Sequence, residues 1–386
     1  MHRIRRDLWY LWRLVVRGTK IRVLAVGLAA ASAVALPAAL PDRPGLPGPA
    51  AARAAAPKGP LDRAVARLQA AQRDDGGFGT TPGARPSDPA TSAWAALALA
   101  SVGVHPADQP RRGTTALAYL EARAGDLTAT EDLARVVLVL AAAGRGAGDA
   151  ARDAARELAR RQRPDGGLPD RSTGPARLGP TAFAVLALAT ADDADARAAV
   201  GRGATWLRAA AGPGGWGVAP GSPARPDTTA LGLQALQAAE PGEVPLSQRA
   251  YDAFGRRANP DGGFGGSDRR RSTAPATAAV LQGIRAFGVD PAKYVALNGT
   301  NSTNTVAYLR GLQRPDGGFG DTTTTARVLP GLNGVAFPLR PVGRGSDRAN
   351  GSAPEPEDDG SADRRAAGPA SPGGAEALQG ARAGGT

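Results

Sequence analysis

Nearly all the residues of this chain that could do chemistry are carboxylates. There is no cysteine, and the two histidines are His2 and His105. Thiolate nucleophiles, disulfides and thiolate metal sites are therefore excluded, and a histidine triad or metal cluster nearly so. One acidic group, Asp192-Asp193-Ala194-Asp195, lies between two helical patterns and reads as a solvated loop. Glu131-Asp132 opens an apolar helical stretch, and Asp88 and Asp227 open two others. Paired carboxylates at such places could serve glycan cleavage, which needs an acid and a base flanking one bond. Acidic residues also favour helix N-termini for their own sake, because the helix dipole is positive there. His105, in Val104-His105-Pro106, reads as a surface-loop residue.

These residues are positioned by a repeat. Gln313–Gly320 reads QRPDGGFG, with near copies at Gln72–Gly79, Gln162–Leu168 and Asn259–Gly265, and a looser one at Gly212–Gly217. Each copy ends an amphipathic helix, since proline cannot donate a backbone hydrogen bond and Asp competes for local ones. The glycines supply turn conformations, and the following aromatic is placed to fold back on the helix just left. Six repeats of about 46 residues fill residues 61–338, a period typical of helical-hairpin arrays. The first helices carry apolar residues four before their ends, at Leu68, Leu120, Leu158, Leu207, Phe254 and Leu309. The second helices are predicted over 91–103, 130–144, 180–191, 227–239, 273–288 and 322–334. They are rich in alanine and apolar nearly all round, the profile of a helix buried on most faces. The pattern predicts two layers, with small-residue helices inside and amphipathic helices outside.

The termini differ in kind. Residues 1–22 are basic, and Val23–Leu36 is an unbroken run of apolar and small residues, shorter than the ~20 that span a bilayer. Residues 1–36 read as a signal peptide, with an uncleaved anchor as the alternative. Residues 37–60 read as a Pro/Ala-rich linker, and residues 341–386 as a disordered tail with too little apolar surface to order itself. Seven of the twelve net positive charges lie in residues 1–56. The remaining charge shows no basic stripe with interleaved aromatics, which argues against nucleic-acid binding.

Tyr308-Leu309-x-x-x-Gln313-x-x-x-Gly317-x-Phe319 resembles the QW-type pattern of squalene–hopene cyclases and the repeats of protein prenyltransferase β subunits. The resemblance implies an all-α fold, an (α/α)6 toroid of six helical hairpins over residues 61–340; periodicity alone leaves an open solenoid available. The leader makes the chain most similar to exported bacterial members related to the helical domain of transcobalamin-type carriers. The family's known sites do not carry over. No Asp-x-Asp-Asp acid motif is present, the Asp/Cys/His zinc site and the thioester both need a cysteine, and nothing after residue 340 could form the β domain that completes a corrinoid carrier.

The expectation is an exported, monomeric, non-catalytic toroid with no metal and no cofactor. It would bind a hydrophobic or amphipathic small molecule, or an envelope partner, at the ring mouth. Asp88, Trp94, Glu131, Asp132, Thr181, Phe183, Asp227, Thr228, Thr277 and Thr324 are the candidate ligand residues. The alternative is an isoprenoid-processing or glycan-cleaving enzyme. Three or more carboxylates converging in the cavity would favour the enzyme. A cavity plugged by alanine and leucine would count against both and leave a structural or interaction role.

Overall fold

The computed structural model describes residues 59–81, 86–108, 111–243, 245–298 and 301–345. The leader, nearly all of the linker, and the tail beyond residue 345 lie outside the described residues. Among those described, no helix is long and apolar enough to cross a membrane.

Among the described residues, twelve α-helices alternate between two layers. The outer ones are α1 (Pro60–Ala71), α3 (Ala116–Glu121), α5 (Asp149–Arg161), α7 (Ala194–Ala210), α9 (Pro245–Arg257) and α11 (Thr305–Gly311). The inner ones are α2 (Pro89–Ser101), α4 (Thr130–Ala142), α6 (Leu178–Leu188), α8 (Pro226–Ala239), α10 (Ala274–Ala286) and α12 (Thr322–Leu332). Each inner helix packs on the next in the order α2, α4, α6, α8, α10, α12, and α12 returns to pack on α2. The repeats therefore close into a toroid, with the inner helices parallel. One short antiparallel hairpin, β1 (Val295–Asn298) with β2 (Asn301–Asn304), interrupts the helical pattern before α11. The sequence reading did not anticipate it.

Small residues let the inner helices approach. A Cβ on Gly331 of α12 would lie 2.2 Å from the Ala278 carbonyl oxygen of α10, so the two backbones touch. The six apolar anchors of the outer helices, Leu68 through Leu309, are fully buried between the layers.

The repeated turn is the clasp between hairpins. In the fullest copies the glutamine side chain donates to the carbonyl of the first glycine: Gln72 to Gly76 (3.1 Å), Gln162 to Gly166 (3.0 Å) and Gln313 to Gly317 (2.9 Å). The Asp caps the second glycine N–H, as Asp165 does for Gly167 at 3.0 Å. The turn then docks on the next outer helix. Gly166 has φ +90° and sits where a Cβ would be 2.1 Å from the Arg202 carbonyl oxygen. The residue after the turn donates its N–H to an inner-helix hydroxyl: Phe78 to Ser92, Leu168 to Thr181, Trp216 to Thr229, Phe264 to Thr277 and Phe319 to Thr325, at 2.8–3.1 Å. The last clasp closes the ring, since Gln313 also donates to Pro60 O and accepts from Arg63, both at 2.7 Å.

His105 is buried rather than a surface-loop residue. Its Nδ1 accepts from the Ala107 N–H at 3.0 Å, and its Nε2 lies 3.3 Å from Ala143 O, so it ties the α2–α3 loop to the end of α4. Residues 335–345 continue past α12 across the ring. Phe337 N donates to Gln234 Oε1 (3.0 Å), Val342 N to Ala142 O (2.8 Å) and Gly345 N to Asp108 Oδ2 (2.7 Å). Val342 and Gly345 fall within the stretch that composition assigns to the tail.

Candidate functional site

Because the inner helices are parallel, their N-termini gather at one face of the ring. A cavity of about 620 Å3 opens there. Its mouth is lined by residues at or before the helix starts, including Asp88, Thr91, Glu131, Asp170, Asp227 and Thr323. Gln234 and Gln282 line it seven or eight residues further along α8 and α10, about 10 Å deeper at 1.5 Å per residue. Phe337 also lines it and is itself buried, held at Gln234 by the strap that crosses the ring.

The lumen is organised around Trp94. Phe183 meets it edge-on with ring centroids 5.7 Å apart, and Phe337 lies 6.4 Å away. Two guanidinium groups face its ring, Arg135 at 5.0 Å and Arg327 at 5.6 Å. Arg135 also lies 5.1 Å from the Phe183 ring. Cations over aromatic faces are attracted by the ring quadrupole, most strongly where water is scarce. Arg135 is 5% exposed; its terminal nitrogens are taken by Glu131 (3.2 Å) and Asp132, while its Nε has no partner.

Four carboxylates line the cavity, and each is engaged locally. Asp88 caps α2, accepting from the Thr91 N–H (2.7 Å) and hydroxyl (2.6 Å). Glu131 holds Arg135. Asp170 pairs with Arg177 at 3.1 Å. Asp227 is gripped by Arg225 through two bonds, 3.0 Å and 2.6 Å. Among the described residues no three carboxylates or histidines gather as a metal site would need. The carboxylates ring the mouth without converging.

Six of the ten candidate residues line this cavity: Asp88, Trp94, Glu131, Phe183, Asp227 and Thr228. Four do not. Asp132 is beside the lumen, bound to Arg135. Thr181 and Thr277 are fully buried, and their hydroxyls serve the turn N–H groups of Leu168 and Phe264. Thr324 lies at the start of α12, where its N–H is capped by Asp321 (2.6 Å), and the neighbouring Thr323 faces the lumen instead. The sequence reading missed Arg135, Arg327 and Phe337. A signal existed for the arginines: each is the lone charge in the apolar interior of an inner helix (LARVVLVL, TARVLPGL), where an ionised group costs too much to keep without a partner or a purpose.

Residues 229–328 match the prenyltransferase alpha-alpha toroid domain, and the chain carries the terpene cyclase/prenyltransferase-type toroid. No curated protein sequence matches it significantly. Solved structures share the fold at low identity. The type II terpene cyclase MstE from Scytonema is 18% identical, with 71% of this chain and 96% of that one covered and a TM-score of 0.50. A variant of the same enzyme is known in complex with its substrate, geranylgeranyl dihydroxybenzoate (19% identity, 71% and 95% covered, TM-score 0.50). The GH76A alpha-1,6-mannanase of Salegentibacter sp. HEL1_6 is 12% identical, with 71% and 97% covered and a TM-score of 0.52.

Proposed function

We propose that the toroid binds a hydrophobic or amphipathic small molecule in its lumen and performs no chemistry on it. The observation that carries this reading is the open cavity of about 620 Å3, walled by Trp94, Phe183 and Phe337, whose acidic residues are each engaged by an arginine or a helix cap. An aromatic-walled cleft with a few oriented polar groups has the form of a ligand site. Two structures of the same fold were solved in complex with small molecules, a prenylated benzoate in one case and, for an inactive mannanase variant, alpha-1,6-mannotriose in the other. The leader-like residues 1–36 support export, so the binding would take place outside the cytoplasm, at or beyond the envelope.

A second reading, an isoprenoid-processing or glycan-cleaving enzyme, draws support from the four carboxylates at the mouth. Catalysis there would require one of them to leave its present partner when substrate binds. The test is native mass spectrometry of the protein from its producing cells, followed by incubation with polyprenyl and oligomannoside substrates. The binding reading expects a bound small molecule that is released unchanged and is lost in Trp94→Ala. Turnover that disappears in Asp227→Asn or Glu131→Gln would replace it with the enzyme reading.

A further inference from the structure

Arg327 stands out among the charges of the lumen. Asp88, Glu131, Arg135, Asp170, Arg177 and Asp227 all have an ionic or hydrogen-bonded partner. Among the described residues Arg327 has neither; its contact is the face of Trp94 at 5.6 Å. Its side chain lines the open cavity and is exposed there. Partial desolvation by the surrounding helices, and then the positive charge of Arg135, lower its pKa from the usual guanidinium value. Glu131, Asp227 and Asp321 offset part of this through space, but among the described residues none of them forms an ion pair or hydrogen bond with it.

A guanidinium offers five N–H donors in a planar fork that matches a carboxylate or phosphate. Among the described residues none of the five has a protein acceptor. Thr323, one helical turn earlier on α12, lines the same wall, and its hydroxyl lies 2.9 Å from that of Thr91. Beyond the polar pair, the wall turns apolar and aromatic through Trp94, Leu231, Ala279 and Phe337. The lumen thus sets one guanidinium beside an apolar surface, while the carboxylates Asp88, Glu131, Asp170 and Asp227 are held by their own partners.

We infer that the lumen selects an anionic amphiphile, whose carboxylate or phosphate head is received by Arg327 beside Thr323 and whose hydrocarbon body lies against Trp94 and Phe337. This rests on the lumen-binding reading and narrows it to one charge class. Carboxylate and phosphate heads share the recognition chemistry, and the assay separates them.

The experiment is equilibrium binding to the full chain by calorimetry, with dodecanoate, dodecyl phosphate and dodecanol as probes of one chain length. Dodecanoate or dodecyl phosphate is expected to bind at least about ten-fold tighter than dodecanol, the scale of a charge-assisted hydrogen-bonded pair. The tighter of the two anions names the head group. The preference should weaken as salt is raised from low to high concentration. Arg327→Gln should abolish the preference while leaving dodecanol affinity within about two-fold, and Arg327→Lys should retain part of it. Circular dichroism melting of each variant verifies that it is folded. If Arg327→Gln does not fold, the salt dependence in the unaltered chain carries the test. Equal binding of all three probes overturns the anion inference and leaves the lumen reading standing. A preference for the anions that survives in folded Arg327→Gln also overturns it, and binding of none overturns both.

Discussion

Replacing Gly317 by alanine tests whether the ring is closed by the clasp seen between the last repeat and the first. Gly317 has φ +82°, and a Cβ there would lie 2.4 Å from the Arg63 carbonyl oxygen of α1. An ordinary carbon–oxygen contact is about 3.3–3.6 Å, so the turn would have to retreat by about 1 Å. That retreat breaks the bonds across the closure: Gln313 to Pro60 O and Arg63 to Gln313, both 2.7 Å, and Arg67 to Asp316 at 3.1 Å. The first two are worth about 0.5–1.5 kcal/mol each, and the third, with Asp316 half exposed, about 0–1 kcal/mol. The positive φ adds about 1–2 kcal/mol for alanine, offset by about 0.4–1 kcal/mol from the stiffer unfolded chain. Gly221→Ala is the control, since Gly221 has φ +77° with nothing within 4 Å of its added Cβ. It bears the backbone cost alone. The difference between the variants should be about 3 kcal/mol, or roughly 6 °C in Tm for a chain of this size. Thermal unfolding followed by circular dichroism reads it. If the two variants melt within about 1 °C of each other, Gly317 does not dock on α1, and the repeats form an open array.

Thr181→Val should cost about 1–3 kcal/mol, because the Leu168 N–H it serves would be left buried without a partner. Thr181→Ser should recover most of that, and neither variant should change ligand affinity. Phe337→Ala should cost about 3 kcal/mol or somewhat more and enlarge the lumen, read as a lower denaturant midpoint and tolerance of bulkier probes. Burial raises the pKa of Tyr119, Tyr251, Tyr294 and Tyr308. The folded state therefore holds these protons more tightly than the unfolded chain, whose tyrosines titrate near ~10. Stability is full below that pH and is lost as pH rises above it. Melting between pH 9 and 11.5 should show the decline, with a shallower slope in Tyr294→Phe.

The fold was legible because a few residues repeat their jobs. Leu68, Leu120, Leu158, Leu207, Phe254 and Leu309 recur at one offset from the turn, and all six are fully buried. The glutamine, the aspartate and the glycine pair act within one turn, so their chemistry is local and can be read from spacing. The site depends on which way a helix faces, which spacing near a helix start does not determine. Thr181 and Thr228 both stand near the start of an inner helix, yet one serves a turn and the other lines the lumen. One position separates Thr323 from Thr324, and 100° of helical rotation per residue puts them on different sides of α12. Phe337 was illegible for another reason: it reaches the lumen through a strap whose bonds to Gln234 and Ala142 join residues far apart in the chain. Arg135 and Arg327 fall between these cases. Their position was plain, as single charges inside apolar helices, but the repeat pattern gave them no role. What every repeat shares builds the ring, whereas these two arginines belong to single repeats. A search for function on this fold should therefore begin with residues that break the repeat, and Arg327, charged, beside Trp94 and without an ion pair among the described residues, is where the break is sharpest.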